Sequence, residues 1–199
     1  MPTDRAALRR RLNRLAYEQR GYFTAAQALA VGYSYQAQKH HVDRGNWVRV
    51  GRGMFRLPDW PADAHDSFVR WGLWSGGRGV VSHESALEFY GLSDLDPATI
   101  HLTVRSDFYA KDDAVTLHVA SLPEADVIRQ AGWAVTTPQR SLIDVAAGEV
   151  SQEHVTAAVR DAVAQGLVTR RRLREASDEG GSTAALRIER AISEIEASE

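Results

Sequence analysis

The sequence predicts an α+β fold: a small front unit of helices and a hairpin, then a mixed α/β body with a small sheet and a helical tail. Three observations predict it. Short amphipathic stretches punctuated by Gly21, Gly32 and Gly45 precede two strand-like runs split by Gly51-Arg52-Gly53. Alternating β-branched runs recur at 99–104 and 115–120. Residues 151–199 show helical periodicity with no strand signal.

A chain of 199 residues has room for one domain or two small ones. The absence of Cys excludes a disulfide scaffold, Cys-ligated zinc, an iron–sulfur cluster and a thiol nucleophile. Met1-Pro2-Thr3-Asp4-Arg5 leads into an Arg-rich helix with no apolar signal region. No apolar run approaches the roughly 18 residues of a membrane span. The expectation is a soluble, cytoplasmic protein with no membrane partner.

The formal charge of -2 hides an asymmetry, because residues 1–60 hold eleven Lys/Arg against four Asp/Glu. The remainder is therefore acidic. This suggests a polyanion-binding front on an acidic body, the alternative being a solvated basic helix that touches nothing. Leu57-Pro58-Asp59-Trp60-Pro61 breaks regular structure and sets the expected domains at 1–60 and 61–199.

The front reads element by element. A helix over 4–20 puts Leu8, Leu12, Leu15 and Ala16 on one face and Arg9, Arg10 and Arg14 largely off it, and Gly21 stops it. Thr24 caps a short helix over 25–31; Ser34 caps a third over 35–44, closed by Gly45. Trp47-Val48-Arg49-Val50 and Met54-Phe55-Arg56-Leu57 form a hairpin. Pairing Val50 with Phe55 places Val48, Val50, Phe55 and Leu57 on one face and Arg49 and Arg56 on the other. Trp47 and Phe55 are expected in the core. Three helices and a basic hairpin in this order describe a winged helix-turn-helix.

The body is α+β to about 148 and helical over 151–199. It begins with a helix over 64–75, a Gly-rich turn at 76–79 and a helix capped by Ser82. Strands follow at 99–104 and 115–120, separated by polar residues 106–113, with a third possible strand at 133–136 and a helix opening at Pro138. The tail divides into helices over 151–166 and 169–177, a Gly180-Gly181 break and a last helix from about 182.

At about 100° per residue, Tyr35, Gln36, Lys39 and Asp43 share one face of the third helix, with Ala37 and His41 roughly opposite. Gln bonds adenine bidentately and Lys bonds guanine or phosphate, so the first group suits a major groove. Asp43 dissents, either reading a cytosine amino group or lying beyond the groove. Arg49, Arg52 and Arg56 suit a wing on the phosphate backbone or in the minor groove. A solvated face is the alternative, as it is for Arg9, Arg10 and Arg14. Thr24 and Ser34, at the two helix starts, and His40 complete the expected DNA-contact set.

Catalytic signals are missing: there is no nucleotide-cradling Gly motif, and no Asp-x-Asp pair follows Gly180-Gly181-Ser182. Adjacent His40 and His41 diverge, and His83-Glu84 lacks a second His at zincin spacing. His101 and His118 lie in predicted strands and can face each other across a sheet, more as satisfied strand residues than as ligands. Asp107, Asp112 and Asp113 read as a solvated acidic hairpin. No catalytic residue, metal or cofactor is expected.

Several motifs then resemble one family. They are Gly21-Tyr22-Phe23-Thr24, Gly45-Asn46-Trp47-Val48-Arg49-Val50 and Gly53-Met54-Phe55-Arg56-Leu57-Pro58 in the front. The middle adds Ser82-His83-Glu84-Ser85-Ala86-Leu87, Gly91-Leu92-Ser93, His101-Leu102-Thr103-Val104 and Thr136-Thr137-Pro138-Gln139-Arg140-Ser141-Leu142-Ile143-Asp144. Ala162-Val163-Ala164-Gln165-Gly166-Leu167-Val168 with Leu173 extends the match into the tail. Together they resemble the AbiEi antitoxins of bacterial type IV toxin–antitoxin systems. The resemblance implies an N-terminal domain that binds inverted repeats in its own promoter and represses the operon. It implies a C-terminal domain that counters a co-encoded nucleotidyltransferase-like toxin, by direct contact or otherwise. It also implies that Tyr35, Gln36 and Lys39 read DNA and that Arg49, Arg52 and Arg56 form the wing. Gln38, His40, His41 and Asp43 stand where basic or aliphatic residues are frequent in the family. Related, longer proteins continue into an endonuclease-like domain about where this chain stops, so no nuclease activity is expected.

Arg140 and Arg170-Arg171-Arg172 are basic spots in the acidic body. They are candidates for a toxin contact or a second DNA contact, or for local pairing with acids such as Glu175 and Asp178. The function expected is a DNA-binding antitoxin and autorepressor. The alternatives are a stand-alone regulator with a sensory or protein-binding C-terminal domain, and an enzyme or subunit using the winged helix for protein contact.

Overall fold

A computed structural model describes residues 4–92 and 94–198. Met1-Pro2-Thr3, read above for a signal, Ser93 of the Gly91-Leu92-Ser93 motif and Glu199 at the tail's expected end lie outside them. The chain divides into two compact units, Met1–Gly77 with Ala131–Trp133, and Arg78–Gln130 with Ala134–Glu199. Among the described residues no helix is long and apolar enough to cross a membrane.

The first unit is a winged helix-turn-helix. Helix α1 (Arg5–Glu18) starts where the Asp4 carboxylate accepts the Ala6 amide at 2.9 Å. It ends where Gly21 adopts φ +84, with Trp60 so close that a Cβ there would lie 2.6 Å from its ring. Strand β1 (Tyr22–Thr24), helices α2 (Ala25–Val31) and α3 (Tyr35–Asp43), and strands β2 (Val48–Gly51) and β3 (Met54–Arg56) follow. The expected core forms as Leu12, Ala16, Phe23, Ala28, Trp47 and Phe55 close on one another. Phe23 and Trp47 meet edge-on at 4.9 Å, and each large side chain buried here contributes about 1.5–3 kcal/mol.

Two features of this sheet differ from the sequence reading. The strands lie in the order β1-β3-β2, so β3 is central and flanked by a strand too short to show alternation. Met54 and Phe55 are consequently both buried. The hairpin also slips by one residue: Arg49 stands opposite Phe55 and Val48 opposite Arg56, with an irregularity between Arg49 and Gly51. The expected Val50–Phe55 pairing assumed unbroken period two, and a bulge next to the tip removes that assumption. Val48 is left exposed.

This unit runs on past residue 60, where the prolines suggested a boundary. Helix α4 (Asp66–Trp74) belongs to it, held by an Arg56–Asp66 ion pair at 2.6 Å. Phe68 of α4 stacks on Trp133 at 5.3 Å, and at Gly72 a Cβ would lie 2.5 Å from the Trp133 Cβ.

The second unit is a five-stranded sheet with a helical cluster. Its strands are β4 (Val80–Val81), β5 (Ile100–Val104), β6 (Val115–Val119), β7 (Val127–Gln130) and β8 (Trp133–Thr136), in the order β6-β5-β4-β8-β7. Strands β5 and β6 run parallel, Ile100 opposite Val115 through Val104 opposite Val119. The acidic segment between them is therefore a crossover and not the expected hairpin, because alternation reports a strand's faces and not its direction. The Arg78 guanidinium holds it by donating to the Asp107 carbonyl at 2.7 Å. Helices α5 (His83–Tyr90), α6 (Pro138–Ala147), α7 (Gln152–Ala164), α8 (Arg170–Ser177) and α9 (Gly181–Glu196) bury Leu87, Leu142, Val159, Leu173, Ile188 and Ile192. Ser82 sits at the start of α5 as expected, yet its hydroxyl accepts from Thr103 Oγ1 at 2.8 Å and makes no cap bond.

Candidate nucleic-acid interface

The helix-turn-helix is fixed by local hydrogen bonds that the sequence already encodes. Thr24 and Gln27 form a reciprocal capping box at the start of α2: the Gln27 amide donates to Thr24 Oγ1 at 3.1 Å, and the Thr24 amide to Gln27 Oε1 at 2.8 Å. Gly32 turns the chain at φ +120, a conformation closed to most side chains. Ser34 Oγ then accepts from the Ala37 amide at 3.2 Å to start α3. Thr24 and Ser34 thus both serve as caps.

The inner side of α3 carries a residue that the sequence reading named only as a departure from the family pattern. Gln38 is buried, and its side-chain amide donates to the Ala25 carbonyl at 3.1 Å and the Tyr33 carbonyl at 3.0 Å. It ties α3 to the start and the end of α2, which sets the angle between them. A polar residue 300° around the wheel from Tyr35 was the available signal, since that position faces inward on the predicted helix. His41, also turned inward, stacks on Trp47 at 4.7 Å, and burial together with neighbouring His40 lowers its pKa.

The outer side of α3 presents Tyr35, Gln36, Lys39 and His40 to solvent, with Tyr35 at 67% exposure. These are the side chains expected there. Asp43 joins them and pairs with Lys39 at 2.6 Å, both side chains being more than half exposed. Such a surface pair is worth roughly 0–1 kcal/mol, so a phosphate or base can displace it.

The wing is only partly as expected. Arg52 is exposed at the tip, and Arg49 is exposed with its guanidinium 5.5 Å from the Phe55 ring centre. The Gly53 carbonyl accepts the Ala25 amide at 2.8 Å, which ties the tip to the start of α2. Arg56 departs from expectation. Its side chain is 19% exposed, donates to Asp66 Oδ2 at 2.6 Å and to the Pro61 carbonyl at 3.0 Å, and lies over the Tyr22 ring. The slipped register and an acid contributed by α4 turn it inward, so it braces the unit.

In the second unit the expected basic contacts divide. Arg140 is 21% exposed and faces inward, donating to Asp144 at 2.8 Å and Asp126 at 3.3 Å. Burial raises the Asp144 pKa against the pull of Arg140. Arg140 is thus a brace and not an outward contact. Arg171 and Arg172 are exposed and Arg170 is half-buried. Arg171 pairs with Glu175 at 2.7 Å, the local pairing weighed above.

His101 and His118 do meet, with Nδ1 and Nε2 3.2 Å apart. The structure adds Glu84, whose Oε2 lies 2.7 Å from His101 Nδ1, and His83, stacked on His118 at 3.4 Å. Burial, then the other imidazoles, pushes the His83 pKa down to about 3 and also lowers that of His118. Burial opposes ionisation of Glu84, but the His101 hydrogen bond, a bond from its own backbone amide and the charges of His101 and His83 together outweigh it and keep the carboxyl low. Among the described residues no group of three or more His, Asp or Glu is arranged to hold a metal ion.

With this geometry in hand, comparison with known proteins is informative. Residues 10–58 match a family model described as a transcriptional regulator, AbiEi antitoxin. This stretch of the front is thus similar to AbiEi antitoxin regulators. The matched span covers α1 from Arg10 onward, the capping box, α3 and both wing strands, so it includes the outward face of α3 and excludes Asp66, which anchors Arg56. The fold of the chain is also similar to the crystal structure of the RV2827C protein from Mycobacterium tuberculosis, with a TM-score of 0.61 at 16% identity. That similarity covers 94% of this chain and 76% of the other, and at such low identity it speaks to fold alone. Comparison with the curated proteins gives no match.

Proposed function

We propose that the chain is an autorepressing antitoxin whose first unit binds inverted repeats in its own promoter. Its second unit counteracts a nucleotidyltransferase-like toxin encoded beside it. In this reading α3 enters the major groove, where Gln36 bonds adenine and Lys39 bonds guanine or phosphate. Tyr35 and His40 flank them, and Arg49 and Arg52 lie along the backbone. Thr24 and Ser34 act by capping the two helices that hold this face, and Arg56 by bracing the unit. The observation that carries the reading is an outward α3 face of Tyr35, Gln36, Lys39 and His40, locked in place by buried Gln38, within a segment that matches regulators.

Gel-shift titration against the promoter DNA tests it. Lys39→Ala should cost about 1–3 kcal/mol on the operator and little on unrelated duplex, whereas Arg52→Ala should weaken both and lower the salt slope by about one. Wild-type affinity in both variants removes the proposed face. Co-expression with the neighbouring gene then separates the two roles. A Lys39→Ala/Arg52→Ala double variant should still restore growth while losing repression.

A further inference from the structure

The first unit has a cleft of about 1150 Å³ between α1 and α3 that the reading so far leaves empty. Its α3 wall is Gln36 and His40; its floor includes Leu8 and Tyr33; its far wall is Arg5 and Arg9. On the α3 wheel Gln36 and His40 lie about 100° and 140° from Tyr35, so the cleft opens where the outward face ends. Arg5 and Arg9 are four residues apart on the first turns of α1 and therefore point to the same side.

The cations on this rim differ from their neighbours. Arg10, the next residue along α1, pairs with Asp4 at 3.6 Å, and Lys39 pairs with Asp43. Among the described residues Arg5 and Arg9 have no acidic partner, and both are exposed. Arg9 is near enough to the Tyr33 hydroxyl for its charge to be felt there. Two cations above an apolar floor, beside a helix meant for a major groove, complement a sugar-phosphate strand: the floor suits the sugars and the guanidinium groups suit the phosphates. B-DNA bounds its roughly 12 Å major groove with a phosphate ridge on each edge, so a helix in the groove brings one ridge alongside it.

We propose that this cleft seats the sugar-phosphate backbone bordering the groove that α3 occupies, with Arg5 and Arg9 clamping its phosphates. The proposal rests on the reading of α3 given above. It makes α1 a contact element as well as a support, and it widens the footprint beyond the bases that α3 touches.

The test is the salt dependence of binding to promoter DNA and to an unrelated duplex of equal length. The proteins compared are wild type, Arg9→Ala, Arg5→Ala/Arg9→Ala and, as a control away from the cleft, Arg14→Ala. The slope of log K against log[salt] should fall by about one for Arg9→Ala and by about two for the double variant, equally on both duplexes. Arg14→Ala should leave it unchanged. Promoter DNA with single methylphosphonate substitutions should contain a flanking position where the wild type loses affinity and Arg9→Ala does not. Unchanged slopes in the double variant, with Lys39→Ala and Arg52→Ala still weakened, would overturn the clamp and leave the α3 reading standing. If all four variants bind as wild type, both fall. Thermal melts identical to wild type guard against misfolding, since among the described residues neither arginine carries a structural bond.

Discussion

The two units use arginine in opposite ways. In the first, Arg5, Arg9, Arg49 and Arg52 are exposed with no acidic partner among the described residues. In the second, Arg140 joins Asp144 and Asp126, and Arg174 joins Glu189 and Glu196. Arg187 there donates to the carbonyls of Ala146 and Gly148 and caps the end of α6. These guanidinium groups of the acidic body are held by its own carboxylates and carbonyls, whereas the four named in the front are open to solvent, although Arg10 there pairs with Asp4 and Arg20 with Asp63. Arg56 marks the boundary, a front-unit arginine drawn inward by Asp66. Counting cations along the sequence thus overstates the second unit's capacity to bind polyanions.

The largest effect should come from cutting the second unit's brace. Arg140→Ala leaves Asp144, 10% exposed at its side chain, without its cation. Removing one partner of a buried pair costs about 3–5 kcal/mol, and the residual exposure here brings that toward about 2–3 kcal/mol. A urea titration should show that loss, while binding to promoter DNA stays at wild-type affinity. An Arg140→Ala protein of normal stability that loses DNA affinity would break the contrast between the units.

The next effect uses protons. His83 sits among His118, Glu84, His101 and Arg140, and its pKa is pushed down to about 3 from an ordinary 6.5. His118 is lowered too. In the unfolded chain both take up protons near pH 6.5; in the folded chain they resist, so their contribution is complete above about pH 6.5 and is lost as pH falls. For His83 alone the loss is about 1.4 kcal/mol per pH unit, or about 2 kcal/mol at pH 5. Urea midpoints measured from pH 7 to pH 5 should fall steeply in wild type. They should fall less in His83→Asn, a residue that tolerates the φ of +52 found there. Equal steepness in the two proteins would move the acid sensitivity elsewhere, for instance to His41 of the first unit, whose pKa burial also lowers.

These contrasts also show what the sequence could and could not reveal. Caps and glycines specify helix starts locally: Thr24, Ser34, Thr137, Ser151 and Thr169 each accept the amide that opens their helix. The outward face of α3 was legible for the same reason, since a wheel of nine residues needs no partner to define it. Strands β1, β4 and β7 were not legible, because two to four residues show no alternation and are strands only through the neighbours they pair with. The β5–β6 direction and the wing bulge are likewise properties of a pair. Arg56 went astray for that cause, since Asp66, ten residues away in the chain, decides where it points, and Arg140 in part, since Asp126 joins Asp144 of its own helix in turning it inward. The role of Gln38 was missed because its two carbonyl partners lie on α2 and the turn that follows it.

The smallest expected effect sharpens the contrast within the first unit. Lys39 is the proposed reading cation, yet Asp43 holds it at 2.6 Å on the same face. If the front presents its charges to DNA, this pair is a local exception that binding must undo, and the aspartate also faces the incoming phosphates. Asp43→Asn keeps the shape, frees the ammonium and removes one repulsive charge. The exposed pair itself is worth about 0–1 kcal/mol, so operator affinity should rise only a few-fold at low salt, with the gain fading as salt screens the repulsion. Unrelated duplex should gain as well, because charge and not base readout has changed. A loss of affinity confined to sites carrying cytosine at one position would instead show Asp43 accepting from a cytosine amino group, and would make it a reader.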